Sequence, residues 1–136
     1  MRRSFTRYFR LVFFPVLLVL ASCSDPEAVV RGRVKASNVD ALRRESGRLN
    51  RDFFAVPGLD FFAVKQAIWP KTFRELKPLR VTVYKDGAAL AMGGDAGTNE
   101  WGVFVVPPGL THTPPPTRTI RYRTIGEGVF FYSNIP

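Results

Sequence analysis

Leu79-Arg80-Val81-Thr82-Val83-Tyr84, followed by Lys85-Asp86-Gly87-Ala88 and Ala89-Leu90-Ala91-Met92, is the stretch that decides the fold. Leu79, Val81 and Val83 alternate with Arg80, Thr82 and Tyr84. That period of two puts one set of side chains on a buried sheet face. An Asp-Gly pair between two such runs is a strong hairpin signal and predicts a type I′ turn. Residues 79–92 therefore read as two antiparallel strands.

Toward the C-terminus the same grammar continues. Gly93 to Glu100 is a polar loop, and Trp101-Gly102-Val103-Phe104-Val105-Val106 is a third strand stopped by Pro107-Pro108-Gly109. Thr111 to Thr117, carrying Pro114-Pro115-Pro116, reads as an extended surface loop. Ile120 to Thr124 and Val129 to Tyr132 form a last hairpin around Gly126-Glu127-Gly128. Asp95 to Glu100 spaces oxygen ligands at alternate positions, but it lacks the central Gly and the distant bidentate Glu of a calcium loop, so a hairpin connection is expected.

Toward the N-terminus the signals are mixed. Val30-Arg31-Gly32-Arg33-Val34-Lys35-Ala36 alternates as a strand would. The rival is a helix started by Asp25-Pro26-Glu27; Gly32 weakens it, and the strand is preferred. Ser37-Asn38-Val39-Asp40 resembles a helix start with Ser37 as cap. Val39, Leu42, Leu49 and Phe53 then share a helical stripe, with Ser46 inside it and Arg43, Arg44, Arg48 and Arg51 assigned to the solvated side. Asp52-Phe53-Phe54-Ala55-Val56 is echoed by Asp60-Phe61-Phe62-Ala63-Val64 across a Pro57-Gly58 turn. The second copy runs on to Trp69 as a buried helix or a strand, and its length favours the helix. Trp69 to Pro78 is a helical turn bounded by prolines. The expectation is one α+β domain over residues 29–136: an N-terminal strand and one or two short helices packed on an antiparallel β meander of about five strands.

The first ten residues hold Arg2, Arg3, Arg7 and Arg10 and no acid, and Leu11 to Leu20 is uncharged. A membrane-spanning helix needs about 20 apolar residues. This stretch is too short and fits a secretory leader. It ends in Leu20-Ala21-Ser22-Cys23, and Cys23 is the only cysteine. These residues resemble the lipobox of bacterial lipoprotein precursors. The resemblance implies that residues 1–22 are a removable signal peptide, that Cys23 carries the lipid, and that 23–28 is a lipidated tether. It also implies that Ser24, in place of Asp, sends the product to the periplasmic face of the outer membrane.

Formal charge is +9, and setting aside the four arginines of the leader leaves 16 basic residues against 11 acids, or +5. A basic face of Arg31, Arg33, Arg43, Arg44, Arg48 and Arg51 is the candidate site for an anionic ligand such as a cell-wall polymer. Tyr84, Trp101, Tyr122 and Tyr132 are candidates for stacking on sugars, although strand aromatics more often face the core. His112, the only histidine, sits in the proline loop without a nucleophile motif around it,. The acids Asp95, Glu100 and Glu127 lie near loop tips. No metal site, cofactor or nucleic-acid partner is expected. The leading reading is a lipid-anchored, non-enzymatic binding or accessory module of the envelope, and a small wall-directed hydrolase is the alternative.

Overall fold

A computed structural model of the chain describes residues 25–54, 57–58, 60–96, 98–110, 114 and 119–134. Residues 1–22, Cys23, Ser24 and His112 lie outside the described residues. Six strands form one sheet: β1 (Phe61–Ala63), β2 (Arg80–Tyr84), β3 (Gly87–Gly93), β4 (Trp101–Val105), β5 (Arg121–Gly126) and β6 (Val129–Ser133). They lie in the order β1-β2-β3-β4-β6-β5, every neighbouring pair antiparallel. The fold is α+β, as the sequence indicated.

The expected meander needs two corrections. There is an extra strand at one edge, and the final hairpin is inserted in reverse, with β6 beside β4 and β5 outside it. Composition accounts for the swap. Val129 to Tyr132 are all buried, which suits an interior strand, whereas β5 presents Arg121, Arg123 and Thr124 to solvent, as an edge strand must,. The 60–69 segment is not a buried helix. Phe61–Ala63 pairs with β2, and only Gln66–Ile68 turns as a 3-10 helix. The two Asp-Phe-Phe copies therefore adopt different structures, and they meet: Phe53 of the first stacks on Phe62 of the second at 4.3 Å and 14°.

The β2–β3 hairpin forms where expected, but its turn is not type I′. Tyr84 pairs with Gly87, leaving Lys85-Asp86 as the loop, and neither residue has the positive φ that the type demands,. Gly87 is needed instead for close approach, because a Cβ there would stand 2.7 Å from the Phe104 ring.

Three helices cover one sheet face: α1 (Pro26–Arg33), α2 (Val39–Phe53) and α3 (Lys71–Glu75). The strand expected over residues 30–36 is thus mostly helix, and residues 26–28 of the expected tether belong to it. Asp25 accepts the Glu27 amide at 3.2 Å, Pro26 opens the first turn, and Glu27 pairs with Arg31 at 2.8 Å,. These signals outweigh the alternation, because only Val30 needs to face inward, and it is fully buried. Arg123 reaches Glu27 at 2.9 Å and ties the helix to β5. The hydrogen bond from Arg31, helped by the charge of Arg123, holds the Glu27 carboxyl below its ordinary range. Ser37 is not the cap of α2, which is entered from a 3-10 turn over Ala36–Asn38 with Asn38 at its cap.

Beneath the helices lies the main core. Val81, Val83, Leu90, Val103, Val105 and Val129 of the sheet pack against Val30, Leu42, Leu49, Phe73 and Leu76. Trp69 donates its indole N–H to the Val64 carbonyl at 2.8 Å and closes the α3 end. Polar side chains of α2 add a fastening line along the same face. Ser46 Oγ donates to the Val105 carbonyl at 2.8 Å, and Asn50 Nδ2 donates to the carbonyls of Tyr84 and Lys85 at 2.7 and 3.0 Å. Among the described residues no helix is long and apolar enough to cross a membrane.

Candidate functional site: an aromatic groove on the helix-free face

Alternation along each strand sends a second set of residues to the face that the helices leave open. From β1 to β5 this face carries a row of rings: Phe61, Tyr84, Phe104 and Tyr122. Successive centroids are 6.3, 6.3 and 5.7 Å apart. Phe104, Val106, Phe130 and Tyr132 form a second buried cluster there, with Leu110 and Ile120 packed on it. Within this face lies a groove of about 280 Å³ lined by Tyr84, Asp86, Ala89, Glu100, Phe104, Pro114, Ile120, Tyr122 and Tyr132. Small Ala89 leaves the hollow, and the rings wall it. Pro114, expected in a surface loop, is buried against it.

One polar network fixes a wall. Tyr132 donates its hydroxyl to Glu100 Oε1 at 2.7 Å, while Arg80 Nη2 donates to Glu100 Oε2 at 2.9 Å. The Asn134 amide donates to the Glu100 carbonyl at 2.7 Å and locks the β3–β4 loop to the end of β6. Burial above all, then the bond to Glu100 and its charge, raises the Tyr132 pKa far above the ordinary phenol range. Burial, then the charges of Asp86 and Tyr84, pushes Tyr122 up to about 12. Burial, then Glu100 and Asp86, also raises Tyr84. All three groove phenols therefore stay protonated at neutral pH, and Tyr132 donates to Glu100 as a neutral phenol.

The Tyr132 shift has a stability consequence. A folded pKa above the unfolded value of about 10 means that the unfolded chain releases this proton first as pH rises. The stabilisation is complete below about pH 10 and is lost above it, at up to about 1.4 kcal/mol per pH unit from this group. Chemical denaturation between neutral pH and pH 11 should show that decline. Tyr132→Phe should make it shallower, leaving the share due to Tyr122 and Tyr84, at a cost of about 1 kcal/mol at neutral pH for the lost bond to Glu100,.

The six arginines expected to form one basic face are dispersed. Arg43 is buried; its Nε donates to the Val106 carbonyl at 3.1 Å and its Nη2 to the carbonyls of Pro107 and Leu110 at 3.3 and 3.2 Å. Its only ionic partner among the described residues, Glu127, is 87% exposed, so Arg43 is a structural fastener of the segment after β4. Arg31 pairs with Glu27, Arg33 donates to the Leu76 carbonyl at 3.1 Å, and Arg48 pairs with Glu45 and Asp52. Of the six, Arg44 and Arg51 line a common cleft, between α2 and Pro107-Pro108.

Of the four aromatic candidates, Tyr84, Tyr122 and Tyr132 converge on the groove, while Trp101 packs on the helix side against the main core. Asp86, Phe104 and Ile120 join them in the lining without a sequence motif that marks them. A readable signal existed: Tyr84 and Tyr122 occupy outward positions of alternating strands, where a solvated face would carry charge. Among the acids, Glu100 reaches the groove, Glu127 meets Arg43, and Asp95 lines neither site. No group of three or more His, Cys, Asp or Glu able to hold a metal ion occurs among the described residues. The chain matches no protein-family model, no curated protein and no solved structure.

Proposed function

We propose that this protein is a membrane-anchored envelope lipoprotein, held by lipid on Cys23 at the periplasmic face of the outer membrane, that acts as a non-enzymatic binding or accessory module. The single observation that carries the binding half is the walled aromatic groove on the face free of helices. Concave, mostly apolar hollows with a few placed polar groups are the usual form of binding sites. The anchor rests on the lipobox. Tethering confines the groove near envelope partners, so a weak interface suffices.

The alternative of a hydrolase draws on Asp86 and Glu100 lining the same groove. Glu100 is poorly placed as an acid or base, since each of its oxygens already accepts a hydrogen bond, from Tyr132 and Arg80. Recognition of an anionic polymer narrows to the cleft of Arg44 and Arg51.

Immobilised full-length protein in a nonionic detergent, exposed to solubilised envelope, tests the reading. We expect a component retained by the wild type and lost about tenfold or more with Tyr84→Ala/Tyr122→Ala, a change that removes two half-buried rings. Retention that survives this change but collapses in Arg44→Ala/Arg51→Ala, or at high salt, would favour the anionic polymer and defeat the groove.

A further inference from the structure

The groove departs from the charge of the chain that carries it. The protein has 20 Lys and Arg against 11 Asp and Glu, yet the groove lining contains two carboxylates and no basic side chain among the described residues. Glu100 is paired with Arg80 at 2.9 Å, which leaves Asp86 as the carboxylate of the lining without an ion-pair partner among the described residues. Asp86 has no hydrogen-bond or ion-pair partner among the described residues. Its neighbour Lys85 turns to Asp60 instead, at 3.7 Å.

The rings are arranged for the same charge. Phe104 lies between Tyr84, tilted at 38°, and Tyr122, set edge-on at 75°, so three rings enclose a corner. Ring faces are negative, and a cation placed among several of them is attracted to each. A sugar fits less well. A stacked pyranose wants one flat, open ring, whereas these rings are inclined to one another at 38° and 75°.

We propose that this groove binds a compact organic cation of the alkylated-ammonium kind, with Phe104, Tyr84 and Tyr122 as the walls and Asp86 as the counter-charge. This assignment rests on the groove being the module's binding site and names the class of its ligand. Such a cation arrives either free or as the head of a zwitterionic lipid, and the probes must separate the two.

The experiment is a titration of the full-length protein in a maltoside detergent with choline, glycerophosphocholine and the neutral isostere 3,3-dimethylbutan-1-ol, followed by tyrosine fluorescence and NMR. Choline should bind saturably with a Kd of about 1 mM or tighter. The neutral isostere should bind about tenfold more weakly, and Asp86→Asn and Tyr122→Leu should each weaken choline several-fold. Glycerophosphocholine matching choline identifies the lipid head, and choline alone identifies the free cation; either supports the assignment. Equal binding of the isostere, no saturable binding of choline, or choline binding indifferent to both substitutions overturns it. If choline fails while Tyr84→Ala/Tyr122→Ala still loses the envelope component, only the ligand class falls. If choline binds while envelope retention ignores that change, the cation site stands and the envelope-binding reading falls.

Discussion

Gly102→Ala should cost this protein about 3 kcal/mol or more, enough to lower the urea midpoint sharply. Gly102 sits mid-strand in β4, paired with Ala91 on one side and Tyr132 on the other. A Cβ at this position would fall onto the Leu90 carbonyl oxygen and crowd the Ala91 Cα. These are backbone atoms of a neighbouring interior strand, so no rotamer change relieves the overlap, and β3 and β4 would have to part. Gly32→Ala is the matched control. In α1 nothing lies within 4 Å of the added methyl, so the same chemical change should stabilise by up to about 1 kcal/mol,. Opposite signs at the two glycines would support both the β3–β4 register and the helical state of α1. A Gly102→Ala protein as stable as the wild type would mean that the strand pairing is wrong.

Arg43→Leu should be similarly severe, near 3 kcal/mol, while Arg44→Leu should stay within about 0.5 kcal/mol. The two residues are sequence neighbours of identical type, and their surroundings decide the difference. Arg43 supplies donors to three main-chain carbonyls around the β4 exit, and a leucine removes all three bonds, leaving Pro107 only the Leu110 amide at 3.3 Å and stripping the buried Val106 oxygen of its side-chain donor,. Arg44 faces the open cleft beside Pro107 and Pro108. Lysine should rescue Arg43 only in part, because a single ammonium cannot match the planar fork of a guanidinium. Glu127→Gln should change little, since the carboxylate is 87% exposed and the pair is screened,. Equal effects at 43 and 44 would contradict the fastening role.

The legible part of this fold was the part governed by local periodicity. The β2–β3 hairpin, β4, the final hairpin and α2 follow from alternation or helical spacing within a few residues. What escaped depends on partners distant in sequence. Nothing near Arg121 states that β5 goes outside β6; the double-sided burial of Val129 to Tyr132 decides it. In Val30 to Ala36, apolar residues spaced by two imitated a strand, although the Asp25-Pro26-Glu27 start was the stronger local signal. Phe61–Ala63 looked like core because it is greasy, yet it is an edge strand with Phe61 61% exposed.

The candidate site was half legible. Its three tyrosines stand out in the strands, but their convergence requires the strand order. Residue type alone groups Arg43 with Arg44, Arg48 and Arg51. Helical spacing already separated it, since it lies four residues after Val39, three before Ser46 and seven before Asn50, on the stripe that meets the sheet. Reading the stripe by position rather than by polarity would have moved it inside and reduced the basic face to what remains of it.

Intact mass of the protein extracted from its native membranes is the most direct test of the anchored-module account. The account predicts a chain starting at Cys23, heavier than its amino acids by a diacylglyceryl group and an N-linked acyl chain. A species that keeps residues 1–22, or begins near Cys23 with no acyl mass, would contradict it.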